Sequence, residues 1–234
     1  MTTPDLAAAR IANPNPDVWE AAYLRFETPE QEIRKFQDRL KKLGSQTWPR
    51  DAEIVELFCG RGNGLHALNA LGFTRLEGVD LSAALIAQYR GKANCHTCDC
   101  RQLPFPDGSK DILIVQGGLH HLPKLPDDLQ RTVFEMKRVL RKSGRLVIVE
   151  PWLTPFLSFV HAVCENPMAR RASNKLDALA TMIEHERETY EQWLGQPEVI
   201  RKIVTDQFDT IRQSMAWGKW SFVGTPKSNP LSPS

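Results

Sequence analysis

Apolar positions along the 234-residue chain fall into two rhythms. From about 17 to 43 they recur at helical spacing, as Val18, Ala22, Leu24, Ile33, Phe36 and Leu40 among charges, and stop at Gly44. That period with a terminal glycine predicts helix, with a break near Pro29. Farther on, short apolar runs at 52–58, 75–79, 93–97, 111–115 and 145–149 alternate with helical stretches at 63–71, 82–90 and 127–141. Strands covered on both faces read as continuous Val/Ile/Leu runs, and strand–helix alternation implies right-handed crossovers onto a parallel sheet. Residues 207–214 and 217–224 break the alternation and predict two strands joined by a tight connection, hence antiparallel. The fold expected is α/β: a Rossmann-like, doubly wound, seven-stranded sheet, mostly parallel with a C-terminal antiparallel hairpin strand, preceded by a helical N-terminal extension over 17–50.

Residues 1–16 and 226–234 are proline-rich with little apolar content and read as a flexible lead-in and tail. Between them nothing splits the chain, so 17–225 is expected to form one domain. Residues 153–195 are too long for a simple crossover. Their first part, 156–164, is apolar and aromatic; their second, 173–194, reads as one amphipathic helix with Leu176, Leu179, Met182, Ile183, Tyr190 and Leu194 near one face. A helical insertion here can cover a ligand site and exclude water. Its polar candidates are His161, Arg170, Arg171, His185 and Tyr190, with the arginines and His185 expected in solvent.

Composition narrows the function classes. A net charge of +2 and a pI near 8.3 leave no broad field for nucleic acid or an anionic membrane. No run approaches about 18 consecutive apolar residues, and the N-terminus lacks a signal pattern, so a cytoplasmic protein without membrane attachment is expected. The five cysteines suit reduced thiols. Cys95, His96, Cys98 and Cys100 have tolerable zinc spacing, but strand residues alternate faces and no second Cys-x-x-Cys exists, so no metal is expected.

The first strand ends in Glu56-Leu57-Phe58-Cys59-Gly60-Arg61-Gly62-Asn63-Gly64. Glycines there allow a sharp strand-to-helix turn and let a ligand lie against the backbone, beyond the carboxyl ends of the strands. Gly62-x-Gly64-x-x-Ala67 also satisfies a dinucleotide pattern. Glu56 before the glycines would repel a pyrophosphate and suits a ligand with a free amino-acid end. Asp80, at the tip of the second strand and about 20 residues on, is placed to accept from both hydroxyls of a ribose; its alternative is a helix N-terminal charge, with Ser82 as the cap. Asp99, at the third tip, can accept from an adenine amino group, beside Leu103 and Phe105 as apolar wall.

Taken together, Glu-x-x-Cys-Gly-x-Gly-x-Gly, Val-Asp-Leu-Ser, Asp-x-x-x-Leu-Pro-Phe-Pro-Asp and Leu-His-His-Leu, in that order over roughly 52–152, resemble a class I S-adenosylmethionine-dependent methyltransferase of the small-molecule type. The resemblance implies S-adenosyl-L-methionine as cofactor and S-adenosyl-L-homocysteine as product. It implies Glu56, Gly60 and Gly62 at the methionine end, Asp80 with Leu81 at the ribose, Asp99 with Cys100 at the adenine, and Gln116 closing the cofactor set. Phe58 departs from it, since the family often has a small residue there.

At the fourth tip, Gly117 and Gly118 would let the backbone approach the sulfonium region, and His120 and His121 stand where an acceptor should arrive, as candidate general bases. The alternative is a structural pair with one ring packed. Glu150 and Trp152, ending the fifth strand, could face the acceptor. The expected acceptor is a small molecule with an oxygen or nitrogen nucleophile. A nicotinamide reductase would carry Tyr-x-x-x-Lys, and none of Tyr23, Tyr89 or Tyr190 has lysine four residues on. An RNA methyltransferase and a non-catalytic S-adenosylmethionine binder stay as alternatives. The oligomeric state is not legible.

Overall fold

A computed structural model describes residues 16–228. The expected lead-in and tail therefore lie outside the described residues, except that Pro16 opens the first helix and Pro226 closes the last strand.

Two helices lead, α1 (Pro16–Phe26) and α2 (Pro29–Lys42), separated at the expected break. Thr28 makes the interruption: its hydroxyl accepts from Gln31 N while the Gln31 side chain accepts from Thr28 N, a capping box with Pro29 just inside. Then come β1 (Ile54–Leu57), α3 (Asn63–Ala70), β2 (Leu76–Asp80), α4 (Ala83–Ile86), β3 (Asn94–Thr97), β4 (Lys110–Gln116), α5 (Asp127–Val139) and β5 (Leu140–Pro151). Four helices follow, α6 (Pro155–Cys164), α7 (Pro167–Ala172), α8 (Asn174–His185) and α9 (Arg187–Leu194). The chain closes with α10 (Pro197–Gln207), β6 (Phe208–Ala216) and β7 (Lys219–Pro226).

The strands form one seven-stranded sheet in the order β3-β2-β1-β4-β5-β7-β6, parallel through β5, with β7 antiparallel to both β5 and β6. The order reverses between β1 and β4, where an open α/β sheet gathers its ligands. Ala216 pairs with Lys219 across a two-residue turn whose Trp217 and Gly218 both take positive φ, the primed geometry that suits strand twist.

Alternation along the strands sorts the core into two layers. Ile54, Ile112, Ile114, Val147 and Val223 pack with Phe36 and Leu40 of α2 and Leu65 and Leu68 of α3. Val55, Leu57, Leu113, Val115, Leu146 and Ile148 pack on the other face with Val133 and Met136 of α5 and Ile200 and Val204 of α10.

Three elements differ from expectation. The helix predicted over 82–90 stops at Ile86, because Arg90 Nη1 bonds the carbonyls of Ala87 and Tyr89 and Tyr89 Oη accepts from Ala93 N, which folds the segment into turns. The single helix predicted over 173–194 is two, broken at Glu186 (φ −107, ψ 8), with Ala178, Ala180, Met182, Thr189, Tyr190 and Trp193 as their buried residues. Helix α10, started by Pro197, has no counterpart in the sequence reading. We expect Leu113→Ala, which empties a fully buried site between the layers, to cost ~2–5 kcal/mol, read as a lower urea midpoint at unchanged slope.

Candidate active site

Polar side chains collect where β1, β2 and β4 end. Asp80, buried at the β2 tip, accepts from Gly60 N and Ser82 N, both at 2.8 Å, and so ties the glycine loop to the start of α4. Ser82 caps α4 by accepting from Leu85 N, as the alternative reading of this segment expects, while Asp80 braces the loop. A carboxylate has about four lone-pair sites, so these bonds leave room for hydroxyl donors. Burial pushes the Asp80 carboxyl upward, opposed by those backbone donors.

Glu56 is buried at the end of β1; its Oε1 accepts from Gln116 Nε2 at 3.4 Å, and its Oε2 has no partner. Burial raises its pKa to about 8. An unpaired buried carboxylate oxygen is costly, and a cationic partner there would restore its charge. Gln116 in turn accepts from Arg39 Nη1 of α2 at 3.1 Å, completing a chain from Glu56 to Arg39. A second chain runs beside it: Asn63 Nδ2 donates to Glu32 at 2.6 Å, and Tyr23 Oη donates to the same carboxylate. Glu32 lies four and eight residues before Phe36 and Leu40, so an acid on the apolar stripe of α2 was the signal by which sequence could have found it.

The other candidates sit in tighter surroundings than the sequence suggests. The room over Gly62 (φ +82) is taken by the Tyr89 ring, which a Cβ would meet at 2.2 Å. Gly118 likewise makes room for the Phe58 ring, at 2.3 Å, rather than leaving its backbone open. Phe58 itself sits at φ 57, a conformation rare outside glycine. Asp99 is engaged by its neighbour: Arg101 donates to it from its backbone N and guanidinium and reaches on to Asp128 at 2.8 Å. Although burial opposes it, Arg101 holds the Asp99 carboxyl below its ordinary value. The Cys100 side chain turns into the core, 3.6 Å from Thr132 Oγ1, which leaves only its backbone for a ligand. Leu81 is half-buried beside Asp80.

At the β4 tip the two histidines part ways. Glu150 is fully buried; its Oε1 accepts from Gly118 N and Leu119 N at 2.7 and 2.8 Å, and its Oε2 meets His120 Nδ1 at 2.7 Å. Glu150 thus fastens the turn and does not face an acceptor. Trp152 is buried against Trp220. Burial works against a charge on His120, yet Glu150 and Glu186 carry its pKa up to about 9. Burial and the charge of His120 push His121 down to about 4, and its Nδ1 is buried without a partner. Glu186, at the break between α8 and α9, approaches His120 Nε2 at 3.8 Å and His121 Nδ1 at 3.7 Å. Tyr190 of α9 packs edge-on to His120 and reaches His161 Nε2 at 3.2 Å, so the segment after β5 packs against this corner. Arg170, expected in solvent, pairs with Asp177 and Glu184.

The sequence model of a family described as "Methyltransferase domain" matches residues 55–148, the stretch that carries the loop, the three acids and the histidines. The ubiquinone/menaquinone biosynthesis C-methyltransferase UbiE of Paracoccus denitrificans is 24% identical over 197 residues, 77% of this chain and 73% of that protein. Over residues 55–148 the chain carries the sequence pattern of a methyltransferase domain, and both the Paracoccus protein and the next relative are named methyltransferases. The 27-O-demethylrifamycin SV methyltransferase of Amycolatopsis mediterranei is also 24% identical, over 73% of this chain and 63% of that protein, so the methyltransferase spans under two-thirds of that relative. In fold it is similar to a crystal structure of a Pyrococcus horikoshii protein, with a TM-score of 0.67 at 17% identity, over 91% of this chain and all of that one.

The cofactor that the methyltransferase match implies is S-adenosyl-L-methionine. The residues fit it at the methionine end, where Glu56 Oε2 wants a cation, and at the β2 tip, where Asp80 keeps acceptor capacity. For metal, ligand atoms of His120, His121 and Glu186 lie within 4.8 Å of one another, the one such group among the described residues, and Cys95, His96, Cys98 and Cys100 form none. No described helix is long and apolar enough to cross a membrane.

The Glu150–His120 pair makes the methyltransferase's stability depend on pH. Because the folded His120 value lies above the ordinary 6.5, its contribution is complete below pH 6.5 and is lost as pH rises through about 9. Glu150→Gln should cost ~3–5 kcal/mol by leaving a buried charge and two backbone donors poorly matched. It should also flatten this pH dependence, both measured by urea unfolding at pH 6 and pH 9.5. A variant as stable as the parent, with the same slope against pH, would contradict the pairing.

Proposed function

We propose that this chain transfers a methyl group to an oxygen or nitrogen nucleophile of a small-molecule acceptor, bound where β4 and β5 end and covered by the helices over 153–195. The observation that carries the reading is the Asp80 carboxylate joining Gly60 to Ser82 at the point where strand order reverses, with the unpaired Glu56 oxygen beside it. When bound, S-adenosyl-L-methionine supplies an activated methyl on a sulfonium sulfur.

In this reading Glu56 and Gln116 take the ammonium end, Gly60 presents backbone, and Gly62 lines that end from beneath the Tyr89 ring. Asp80 with Leu81 takes the ribose hydroxyls, and Asp99 with the Cys100 N–H takes the adenine edge, Asp99 sharing its oxygens with Arg101. Holding nucleophile and methyl in line can by itself remove ~7–11 kcal/mol of barrier. Of the two histidines, His120 keeps its proton at neutral pH and serves to position the turn, whereas His121 is neutral and can accept one. His121 is therefore the side chain assigned the general-base role.

A carbon nucleophile is the second reading, favoured by the C-methyltransferase name of the Paracoccus relative. S-adenosylhomocysteine release measured across phenols, carboxylic acids, sugars and quinols, with mass analysis of each product, separates oxygen, nitrogen and carbon transfer. Silence across the panel would favour the non-catalytic binder.

At 100 times its dissociation constant, S-adenosyl-L-methionine should add ~2.7 kcal/mol of stability, seen as a raised melting temperature. Asp80→Ala should remove that gain, since charge-assisted bonds of ~1.5–3 kcal/mol each are lost along with the brace on Gly60. His121→Ala should lower kcat by ~10²-fold or more with cofactor affinity unchanged. An undiminished kcat would remove the base assignment and leave the cofactor assignment standing.

A further inference from the structure

Between α2 and the β6–β7 hairpin lies a cavity of about 630 Å³, within the ~300–1,000 Å³ range of small-ligand sites. Five cations line it, Arg34, Lys35, Arg39 and Lys42 from α2 and Lys219 from the start of β7, against a single lining acid, Asp38. Lys35 is paired with Glu27, and Arg34 Nε bonds the Glu30 carbonyl 3.4 Å away. Arg39 is tied to neutral Gln116, and the Lys219 ammonium makes no hydrogen bond or ion pair among the described residues. A concave wall with this surplus of positive charge concentrates anions at low ionic strength and gives them donors on contact.

The cavity adjoins the reacting end. Val149 lines it and pairs with Gln116 on the neighbouring strand, one spacing of ~4.8 Å away. Lys219 stands opposite Pro151, at the carboxyl end of β5. Gln116 also bonds both Arg39 in this cavity and Glu56 at the cofactor end.

Resting on the methyltransferase reading above, we propose that this cavity is the specificity pocket for the acceptor and that it receives a carboxylate or phosphate group, so that the substrate class is a small organic anion. Lys219 and Arg39 contact the anionic group, and Trp217, 73% exposed on the hairpin turn, forms an apolar lip beside it.

The surroundings of Lys219 agree with a site prepared for negative charge. Lys219 keeps solvent-exposed surface, and crowding by the surrounding chain, with Arg39 and Lys35 facing it from α2, moves its ammonium pKa down to about 8, only partly offset by Glu150 on β5 and Glu27 ahead of α2. An arriving anion reverses that shift, and affinity should fall as pH rises above 8.

The test has two arms, both on the full chain. In the first, inorganic pyrophosphate and benzoate are titrated at low salt without cofactor, reading tryptophan fluorescence and heat. Saturable binding should weaken at least ~10-fold in Lys219→Met, which keeps the apolar stem, and be restored in Lys219→Arg. Binding that is absent, or equal in parent and Lys219→Met, overturns the pocket whether or not the chain transfers methyl groups. In the second arm, acceptors bearing a carboxylate are compared with their neutral methyl esters for S-adenosylhomocysteine release. The acid should have a KM lower by ~10-fold or more, with the gap closed in Lys219→Met and kcat little changed. Equal KM values for acid and ester would overturn the substrate class, while S-adenosyl-L-methionine stabilisation persisting in every variant would leave the cofactor site intact.

Discussion

Strands buried on both faces leave few places for charge. In β1, β4 and the second half of β5 most interior positions carry aliphatic side chains packed on α2 and α3 or on α5 and α10, so a carboxylate is best tolerated at a tip where backbone N–H groups or a cation reach it. Asp80 and Glu150 meet that condition with loop donors, and each fixes a loop by doing so. Glu56 meets it only in part, with the Leu65 backbone and Gln116 near its carboxylate, and its unpartnered Oε2 is the clearest mark of a ligand end among the described residues. The site is a by-product of how the sheet is packed: polar chemistry is pushed to one rim, at the reversal of strand order.

The same constraint decides the histidine corner. Two adjacent imidazoles in contact, with ring centroids 4.1 Å apart, cannot both hold a charge in a dry setting. Glu150 resolves the competition by bonding Nδ1 of His120, and the proton stays there. His121 is left neutral with an open nitrogen. One residue acts as a support and its neighbour as the group with chemical freedom, although their sequence contexts are nearly the same.

Much of this was legible in sequence because it is local. The strand runs, the break at Pro29, the terminal hairpin and the acids at successive tips all follow from short-range pattern, and β1 to β5 stand within a few residues of their expected bounds apart from the early start of β5 at Leu140. What escaped depends on distant partners. Nothing in the segment around 186 announces that a helix must break so that Glu186 can face two imidazoles more than sixty positions earlier. The glycines at 62 and 118 read as backbone bared for a ligand, whereas Tyr89 and Phe58 occupy that space, a fact of tertiary packing. Arg39 and Lys219 look like ordinary solvated charges until α2 and β7 are brought together across the end of β5.

Helix α1 has a history as well as a place. It packs along α8, and Arg25 bonds Asp177 across a separation of 152 residues. On a ribosome adding ~5–20 residues per second, α1 emerges roughly 8–30 s before that partner exists. During that interval Ala22, fully buried in the finished fold, has no α8 beside it. The sheet through β5 can assemble while the first helix waits, which makes this helix one of the last pieces to dock during synthesis and exposes it longest to chaperones.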